Sequence, residues 1–261
     1  AMVLLALDRV ELAGKAEGAR VAALSRGTEC LLSMQCRSGG WGAYDKNNTS
    51  ALLDRLPFAD HRAIIDPPTA DITGRVLELV GRRGYSRQQA FVQRALDFLA
   101  AEQETDGSWR GRWGVNYLYG TWQVLRGMAQ VKADMHATPA QRAIAWLKSV
   151  QHEDGGWGET CASYYDASKK GRGPSTPSQT SWALMGLMTV LPHDDGSVQR
   201  GIDYLVRTQQ PNGGWLEDVE TGTAIPGLLY FSYTIYRDAF PLWALGRFRA
   251  LGGGHEEPAC A

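Results

Sequence analysis

A ten-residue segment recurs four times in this chain of 261 residues, each time with Arg nine positions and Leu four positions before a closing Gln. Apolar residues at helical spacing predict that each copy is an amphipathic helix. A glycine-containing turn follows each copy, and glycine allows the chain to reverse direction. The copies are residues 26–35, 94–103, 142–151 and 200–209, and their turns end at Trp41, Trp109, Trp157 and Trp215. So complex a pattern, met four times, indicates a repeated helical architecture.

The conserved spacing within the repeat suggests a structural task for its Gln and Trp. A glutamine side chain has two donors and an acceptor, enough to tie the end of a helix to neighbouring backbone. A tryptophan across a short turn can cover that junction with a large apolar face. We therefore expect the repeats to form the scaffold and to leave the chemistry to other residues.

The segments between the repeats are more uniformly apolar. Residues 71–84, 120–131, 180–191 and 240–251 are helical by periodicity, and residues 1–12 have the same character. Helices that are apolar nearly all round are buried. About nine helices that alternate between buried and amphipathic predict an all-α fold, an α/α barrel or toroid with two concentric rings. A closed barrel of six hairpins needs about twelve helices, so we expect the ring to be incomplete at its N-terminal side.

Composition and charge narrow the class further. A hydrophobic fraction of 44% suits one large domain or part of a bigger one. The last predicted helix ends at residue 251, so we predict a domain over residues 1–251 and a flexible tail over 252–261. A net charge of -1 gives no electrostatic footprint for nucleic acid. The four cysteines lack C-x-x-C or zinc-type spacing, which predicts ordinary thiols. No apolar run approaches the ~18–20 residues that span a bilayer.

The connections into the predicted buried helices are long, and they are rich in aromatic residues. Loops of this length are usually functional, and in a barrel they would meet at one end, where a pocket forms. The four connections are residues 45–70, 110–119, 160–179 and 216–236, and they hold Tyr44, Phe58, Trp113, Tyr117, Tyr119, Tyr164, Tyr165, Tyr230, Tyr233 and Tyr236.

Asp71 and Arg75 stand out at the start of one predicted buried helix, because their i,i+4 spacing places both on one helical face. A surface ion pair is one interpretation. The other is a polar spot inside an aromatic cavity. Ring faces attract cations at roughly 0.5–2 kcal/mol each and do not quench them as nucleophiles, so such a cavity suits a carbocation.

Several longer stretches resemble the squalene-hopene cyclases and oxidosqualene cyclases, as do the Q-x-x-x-G-x-W repeats. They are GGWGAYDKNNTS, DPPTADITGRVLE, DGSWRGRWGVNYLYGTW, STPSQTSWALMGLM and YTIYRDAFPLWALGRF, and the resemblance covers about residues 1–251. It implies a class II triterpene cyclase, which protonates squalene or a related polyprenyl hydrocarbon and closes rings through a cation cascade. It implies no cofactor and no metal.

The proton donor of that family is the middle Asp of a D-x-D-D motif, which this chain lacks. By alignment the motif would end just before Ala1, so the resemblance implies the C-terminal portion of a cyclase that is inactive alone. Either the chain is truncated, or a second chain supplies the N-terminal portion. The resemblance also implies a monotopic enzyme at the cytoplasmic face of the cell membrane, and it allows a homodimer.

The resemblance assigns roles to individual residues. Asp71 matches the acidic residue that assists the D-x-D-D network, and Arg75 stands where some members have a histidine beside the acid. Tyr119 resembles the tyrosine that orients water for reprotonation. The other matches are the cavity aromatics Tyr44, Trp113, Tyr233 and Tyr236 and the channel-gating aromatic Phe58.

Two positions depart from the family pattern. Squalene-hopene cyclases typically read GTGFPxxFY where this chain reads GTAIPGLLY, so Ile225 and Leu229 replace two phenylalanines. Those rings support the later cations of the cascade. We therefore expect a different product spectrum or substrate.

Other α/α toroids remain as alternatives. A glycosidase needs two carboxylates across a cleft, and only Asp166 or the Glu217/Asp218 pair could partner Asp71. A prenyltransferase-type toroid needs an Asp/Cys/His zinc site, for which the sequence offers no convincing set. The third alternative is a non-catalytic repeat module that binds a lipid or protein partner.

Overall fold

The computed structural model describes residues 1–50 and 65–253, and that part of the chain is mainly helical. Its nine α-helices are α1 (Met2–Leu7), α2 (Lys15–Ser33), α3 (Ala70–Arg82), α4 (Ala90–Ala101), α5 (Tyr117–Gln130), α6 (Thr138–Ser149), α7 (Pro177–Leu187), α8 (Gly196–Thr208) and α9 (Thr234–Phe248). Strands β1 (Gly222–Ile225) and β2 (Leu229–Phe231) pair antiparallel as a hairpin. Of the predicted tail, residues 252–261, only Gly252 and Gly253 belong to the described residues, and Gly252 has a left-handed backbone (φ 91°).

The chain divides into two compact units. The first comprises Ala1–Thr105 and Gln123–Gln141, and the second comprises Asp106–Trp122 and Arg142–Ala261. In the first unit α3 packs against α4, and α1 packs against α2 and α3. In the second unit α7 packs against both α8 and α9.

The four predicted amphipathic helices are confirmed as α2, α4, α6 and α8, and the repeat tryptophans are buried. In three copies the Trp indole N–H donates to the main-chain carbonyl of the repeat leucine, and the distances are 2.7 or 2.8 Å. These pairs are Trp41–Leu31, Trp157–Leu147 and Trp215–Leu205. The tryptophan thus closes the turn on the helix it follows, as the sequence predicts.

The repeat glutamine ties one copy to the next. The Gln35 amide donates to the carbonyl oxygens of Gly39 and Phe91, each at 2.8 Å, and its Oε1 accepts from the guanidinium of Arg94 at 2.7 Å. Gln151 repeats the arrangement, since its Oε1 accepts from Arg200. The Arg and Gln of the pattern are therefore partners across successive copies.

Glycine in the repeat turn allows a left-handed backbone, and at some positions it also allows a close approach of neighbouring backbone. Replacement by alanine should therefore lower stability by different amounts at different copies. Gly155 (φ 86°) and Gly213 (φ 85°) share a left-handed backbone, but only at Gly155 would a Cβ lie 2.4 Å from the Arg200 carbonyl oxygen. We expect Gly213→Ala to lower the free energy of unfolding by about 1–2 kcal/mol. Gly155→Ala should cost about 1–3 kcal/mol more, because the neighbouring backbone must move. Equal losses in urea unfolding would contradict the close approach.

The burial predicted for the helices between the repeats holds for some of them only. Every residue of α7 is buried, and nearly all of α5 is. The prediction is wrong for residues 1–12, since α1 has no buried residue. It is also wrong for most of α9, in which Ile235 and Leu242 are exposed and only Pro241, Ala244 and Phe248 are buried. The described residues pack against one side of these two helices and leave the other side open.

Candidate functional site

Aromatic rings form a continuous cluster in the second unit. Trp122 on α5 and Trp182 on α7 stack with their ring planes 4° apart and their centroids 6.0 Å apart. Phe240 on α9 meets both indoles edge-on, at 5.5 and 5.4 Å. Both tryptophans are almost fully buried. Three helices thus contribute aromatic rings to one cluster, called the aromatic cluster below.

Tyr119 joins this cluster near the start of α5. It is 3% exposed, and its ring meets Trp182 at 5.0 Å and Trp122 at 5.7 Å, both edge-on. The preceding loop lies against the other side of the ring. A Cβ on Gly114 would stand 2.5 Å from Tyr119 Cδ2, so glycine lets the backbone approach the phenol ring.

A buried carboxylate fixes the start of α5. Oε2 of Glu159 accepts hydrogen bonds from the main-chain N–H groups of Asn116, at 3.3 Å, and Leu118, at 3.1 Å. Those amides have no partner within the helix, and the positive end of the helix dipole favours an anion there. Burial raises the pKa of Glu159 to about 7, although the amide hydrogen bonds oppose that shift.

Gln179 holds the backbone of Glu159 in place. Its Oε1 accepts from Glu159 N, and its Nε2 donates to the carbonyls of Glu159 and Val115. Asn116 adds a bond from its Nδ2 to Ser163 Oγ at 3.1 Å. Gln179 and Asn116 are fully buried, and their side-chain amides are paired with protein groups, whereas Oε1 of Glu159 is buried without a hydrogen-bond partner.

Glu217 binds the start of α7 in the same way as Glu159 binds the start of α5. Its carboxylate accepts from the N–H and the hydroxyl of Ser178, at 3.0 and 2.9 Å, and burial raises its pKa. Asp166 caps a 3₁₀ turn by accepting from Ser168 N. Asp166 and Glu217, two of the three carboxylates that could pair with Asp71 in a glycosidase, therefore serve as turn or helix caps.

The hairpin and α9 carry the predicted C-terminal cavity residues. Ile225 and Leu229 are paired across the hairpin, so the two departures from the family pattern are direct neighbours. The ring of Tyr233 lies 4.8 Å from that of Tyr236, and Tyr236 meets both Trp182 and Phe240. The structure thus brings Tyr119, Tyr233 and Tyr236 into one aromatic cluster.

The predicted acid lies in the first unit, in the first turn of α3. Asp71 is 1% exposed, and Thr69 Oγ1 donates to its Oδ1 at 2.6 Å. Arg75 follows one turn later and is half-buried. α1 packs against α3, the helix that carries Arg75. The surface interpretation of Asp71 is excluded by its burial.

The remaining predicted residues have more varied positions. Tyr44 is 73% exposed, and Trp113 is half-buried beneath the guanidinium of Arg112. Phe58 lies outside the described residues.

Trp122, Trp182, Phe240 and Glu159 are not among the residues predicted from the sequence, because the predicted aromatics come from the connections between helices and the predicted acid is Asp71. One pattern could have found Glu159, since the third and fourth repeats read GGWGE and GGWLE.

The described residues contain no group of three or more His, Cys, Asp or Glu side chains that could hold a metal ion. None of the helices in that part of the chain combines the length and apolar character needed to cross a membrane.

Comparisons with known proteins agree with this architecture. Residues 1–250 match the sequence profile of the squalene-hopene cyclase C-terminal domain. The chain is 43% identical over 252 residues to the squalene–hopene cyclase of Zymomonas mobilis, and 46% identical over 249 residues to that of Alicyclobacillus acidocaldarius. These matches cover 96% and 95% of this chain but 38% and 39% of the two relatives. The chain therefore spans somewhat more than a third of the length of these curated relatives.

A solved structure supports the fold class. A type II terpene cyclase from Scytonema, in complex with geranylgeranyl dihydroxybenzoate, is 18% identical and has a TM-score of 0.62. The match covers 89% of this chain and 70% of that one. At this identity the likeness concerns the fold alone. It confirms the prediction of an all-α fold of the α/α-barrel type.

Proposed function

Because the chain belongs to the squalene-hopene cyclase family, we propose that it is the C-terminal catalytic portion of an enzyme that cyclises squalene or a related polyprenyl hydrocarbon. The reaction adds a proton to a terminal alkene, and the resulting tertiary cation closes rings in succession. The last cation loses a proton or takes up water, so the product is an isomer or a hydrate of the substrate.

The aromatic cluster is the observation that carries this proposal. Tyr119, Tyr236 and Phe240 meet the stacked pair Trp122 and Trp182. The π faces of such rings stabilise a passing cation by roughly 0.5–2 kcal/mol each, and most of them offer it no nucleophile. A catalyst of a cation cascade needs this surface, whereas a glycosidase needs paired carboxylates.

The first unit contributes the group next to the acid. Asp71 is buried, and Arg75 lies on the same helix, against which α1 packs. A D-x-D-D motif attached directly before Ala1 would end at the start of α1, which packs against the helix that carries Arg75. There the guanidinium would stabilise the carboxylate that remains after proton transfer and so strengthen the acid. Arginine does not give up its proton, so it would not relay one.

The proposal includes a place for the enzyme at the cytoplasmic face of the cell membrane. Squalene is a hydrocarbon and leaves water for the bilayer core. A monotopic enzyme at that surface would meet its substrate there. Flotation of the full-length protein with liposomes tests this part separately from activity.

Incubation with squalene tests the reaction. The full-length protein that carries this chain, and the chain alone, are each incubated with squalene in detergent micelles, and the neutral lipids are separated by gas chromatography with mass spectrometry. We expect polycyclic triterpenes from the full-length protein and none from the chain alone. Squalene that binds to the folded full-length protein but is recovered unchanged would support the non-catalytic lipid-binding module instead.

The hairpin should control the later part of the cascade. Ile225 and Leu229 face each other on neighbouring strands, and neither offers a π face to a cation. We expect the double variant Ile225→Phe/Leu229→Phe to shift the products of the full-length protein toward species with more rings, at the expense of early-terminated ones. Leu216→Phe, at an exposed position outside the hairpin, is the control. A product distribution that the double variant leaves unchanged would refute this role of the hairpin.

A further inference from the structure

We infer that Glu159 is a positioning residue for Tyr119 in the cyclisation reaction. The inference rests on the proposed function, because Tyr119 matters for chemistry only if the cascade takes place beside it. The family resemblance assigns Glu159 no role. Its place in the hydrogen-bond network around the start of α5 suggests one.

The contact geometry is specific to the turn that carries Tyr119. Glu159 accepts from the main-chain amides of Asn116 and Leu118. Leu118 is the residue directly before Tyr119, and Asn116 lies two residues further back. A carboxylate bound to two backbone amides fixes that turn both along the helix axis and around it. The position of the Tyr119 ring relative to Trp182 follows from it.

Glu159 is itself rigidly held. Its main-chain N–H and C=O both bond to the side chain of Gln179 at 2.9 Å. Gln179 belongs to α7, the helix that carries Trp182. The same side chain therefore links the carboxylate to the helix against which Tyr119 packs. A displacement of Glu159 would therefore alter the contact between the Tyr119 and Trp182 rings, in addition to destabilising the first turn of α5.

Glutamine at this position should disturb the arrangement. The side-chain oxygen of glutamine can replace one carboxylate oxygen. The side-chain nitrogen replaces the other, and it is a hydrogen-bond donor placed next to other donors. The charge that the start of α5 favours is also lost. Small misplacements of a catalytic group can lower rates by about 100-fold, and we expect Glu159→Gln to lower kcat by about 10- to 100-fold.

A double-mutant cycle separates positioning from general stability. Glu159→Gln, Tyr119→Phe and the double variant are prepared in the full-length protein, with Asp195→Asn as the matched control. Asp195 accepts from Ser197 N at the start of α8, a helix without residues of the aromatic cluster. If Glu159 acts by positioning the Tyr119 hydroxyl, which phenylalanine lacks, Glu159→Gln should lower kcat less than about twofold in the Tyr119→Phe background, whereas Asp195→Asn should have the same small effect in both backgrounds.

A second measurement reports on Tyr119 directly and does not depend on catalysis. With 3-fluorotyrosine at position 119 alone, the ¹⁹F resonance of the full-length protein should shift or broaden in Glu159→Gln and stay in place in Asp195→Asn. If Glu159→Gln does not fold, Glu159→Asp, which keeps the charge but withdraws the oxygens, is measured in both ways.

The outcomes are distinct. A non-additive cycle together with a changed resonance supports the inference. Additive losses, or an unchanged resonance, overturn it. If the unsubstituted protein makes no cyclic product, the proposed function has failed. The fluorine signal then still shows whether Glu159 positions the Tyr119 ring.

Discussion

Replacement of Asp71 by asparagine is expected to lower kcat for squalene cyclisation by about 100-fold or more, the range in which loss of a proton-transfer group falls. Asp71 is buried in the first turn of α3 and accepts from Thr69 Oγ1. In the proposed enzyme its carboxylate supports the acid motif before Ala1. Asparagine keeps the size of the side chain but removes the charge. The measurement is product formed per minute by the full-length protein at saturating squalene.

Asp66 offers a matched control in the same unit. It is also buried, and its Oδ2 accepts from the amides of Tyr44 and Asp45 at 2.6 and 2.7 Å. Asp66→Asn should lower the melting temperature but change kcat by less than about threefold. If Asp71→Asn reduced kcat no more than Asp66→Asn does, Asp71 would be another structural carboxylate.

The largest loss of stability is expected from Arg126→Met. The guanidinium of Arg126 on α5 bonds the carboxylate of Glu78 on α3, and the two side chains are only 6% and 3% exposed. When one partner of a buried pair is removed, the other charge stays buried without compensation, at a cost of about 3–5 kcal/mol. Urea unfolding of the chain measures the change.

Two further variants separate this mechanism from loss of packing. In Arg126→Met/Glu78→Leu no charge remains buried, so most of the lost stability should return. Lys148→Met breaks the more exposed Lys148–Asp195 pair and should cost no more than about 1 kcal/mol. The account of the buried pair is wrong if the double variant is less stable than Arg126→Met.

The helices of the repeats could be predicted because the information that forms them is local. Within one repeat, the Trp of the turn bonds the Leu of its own helix, and the turn glycine supplies the backbone angle that reverses the chain. The start of α7 could also be predicted from the local sequence. Thr176 accepts from Gln179 N with Pro177 at the first position of the helix, and this T-P-S-Q pattern lies in the sequence. Periodicity alone predicts a start at residue 180, three residues after the observed one.

The start of α5 could not be predicted in the same way. Periodicity predicts a start at residue 120, but the helix begins at Tyr117, and Glu159 binds the amide of Leu118 in its first turn. That contact joins residues 41 positions apart in sequence. The stacking of Trp122 on Trp182 likewise depends on how α5 and α7 pack. Side chains brought together by packing leave no local pattern, and much of the candidate site is of this kind.

Cyclisation in D₂O is the most direct test of the central claim, which is that alkene protonation starts a reaction in this fold. The full-length protein is incubated with squalene in D₂O, and the products are analysed by mass spectrometry and NMR. We predict polycyclic triterpenes in which one deuterium is bound to the first-ring carbon that was the terminal alkene CH. Loss of a proton at the end of the cascade leaves that deuterium in place. Cyclic products without deuterium at that carbon, or unchanged squalene from folded full-length protein, would contradict the claim.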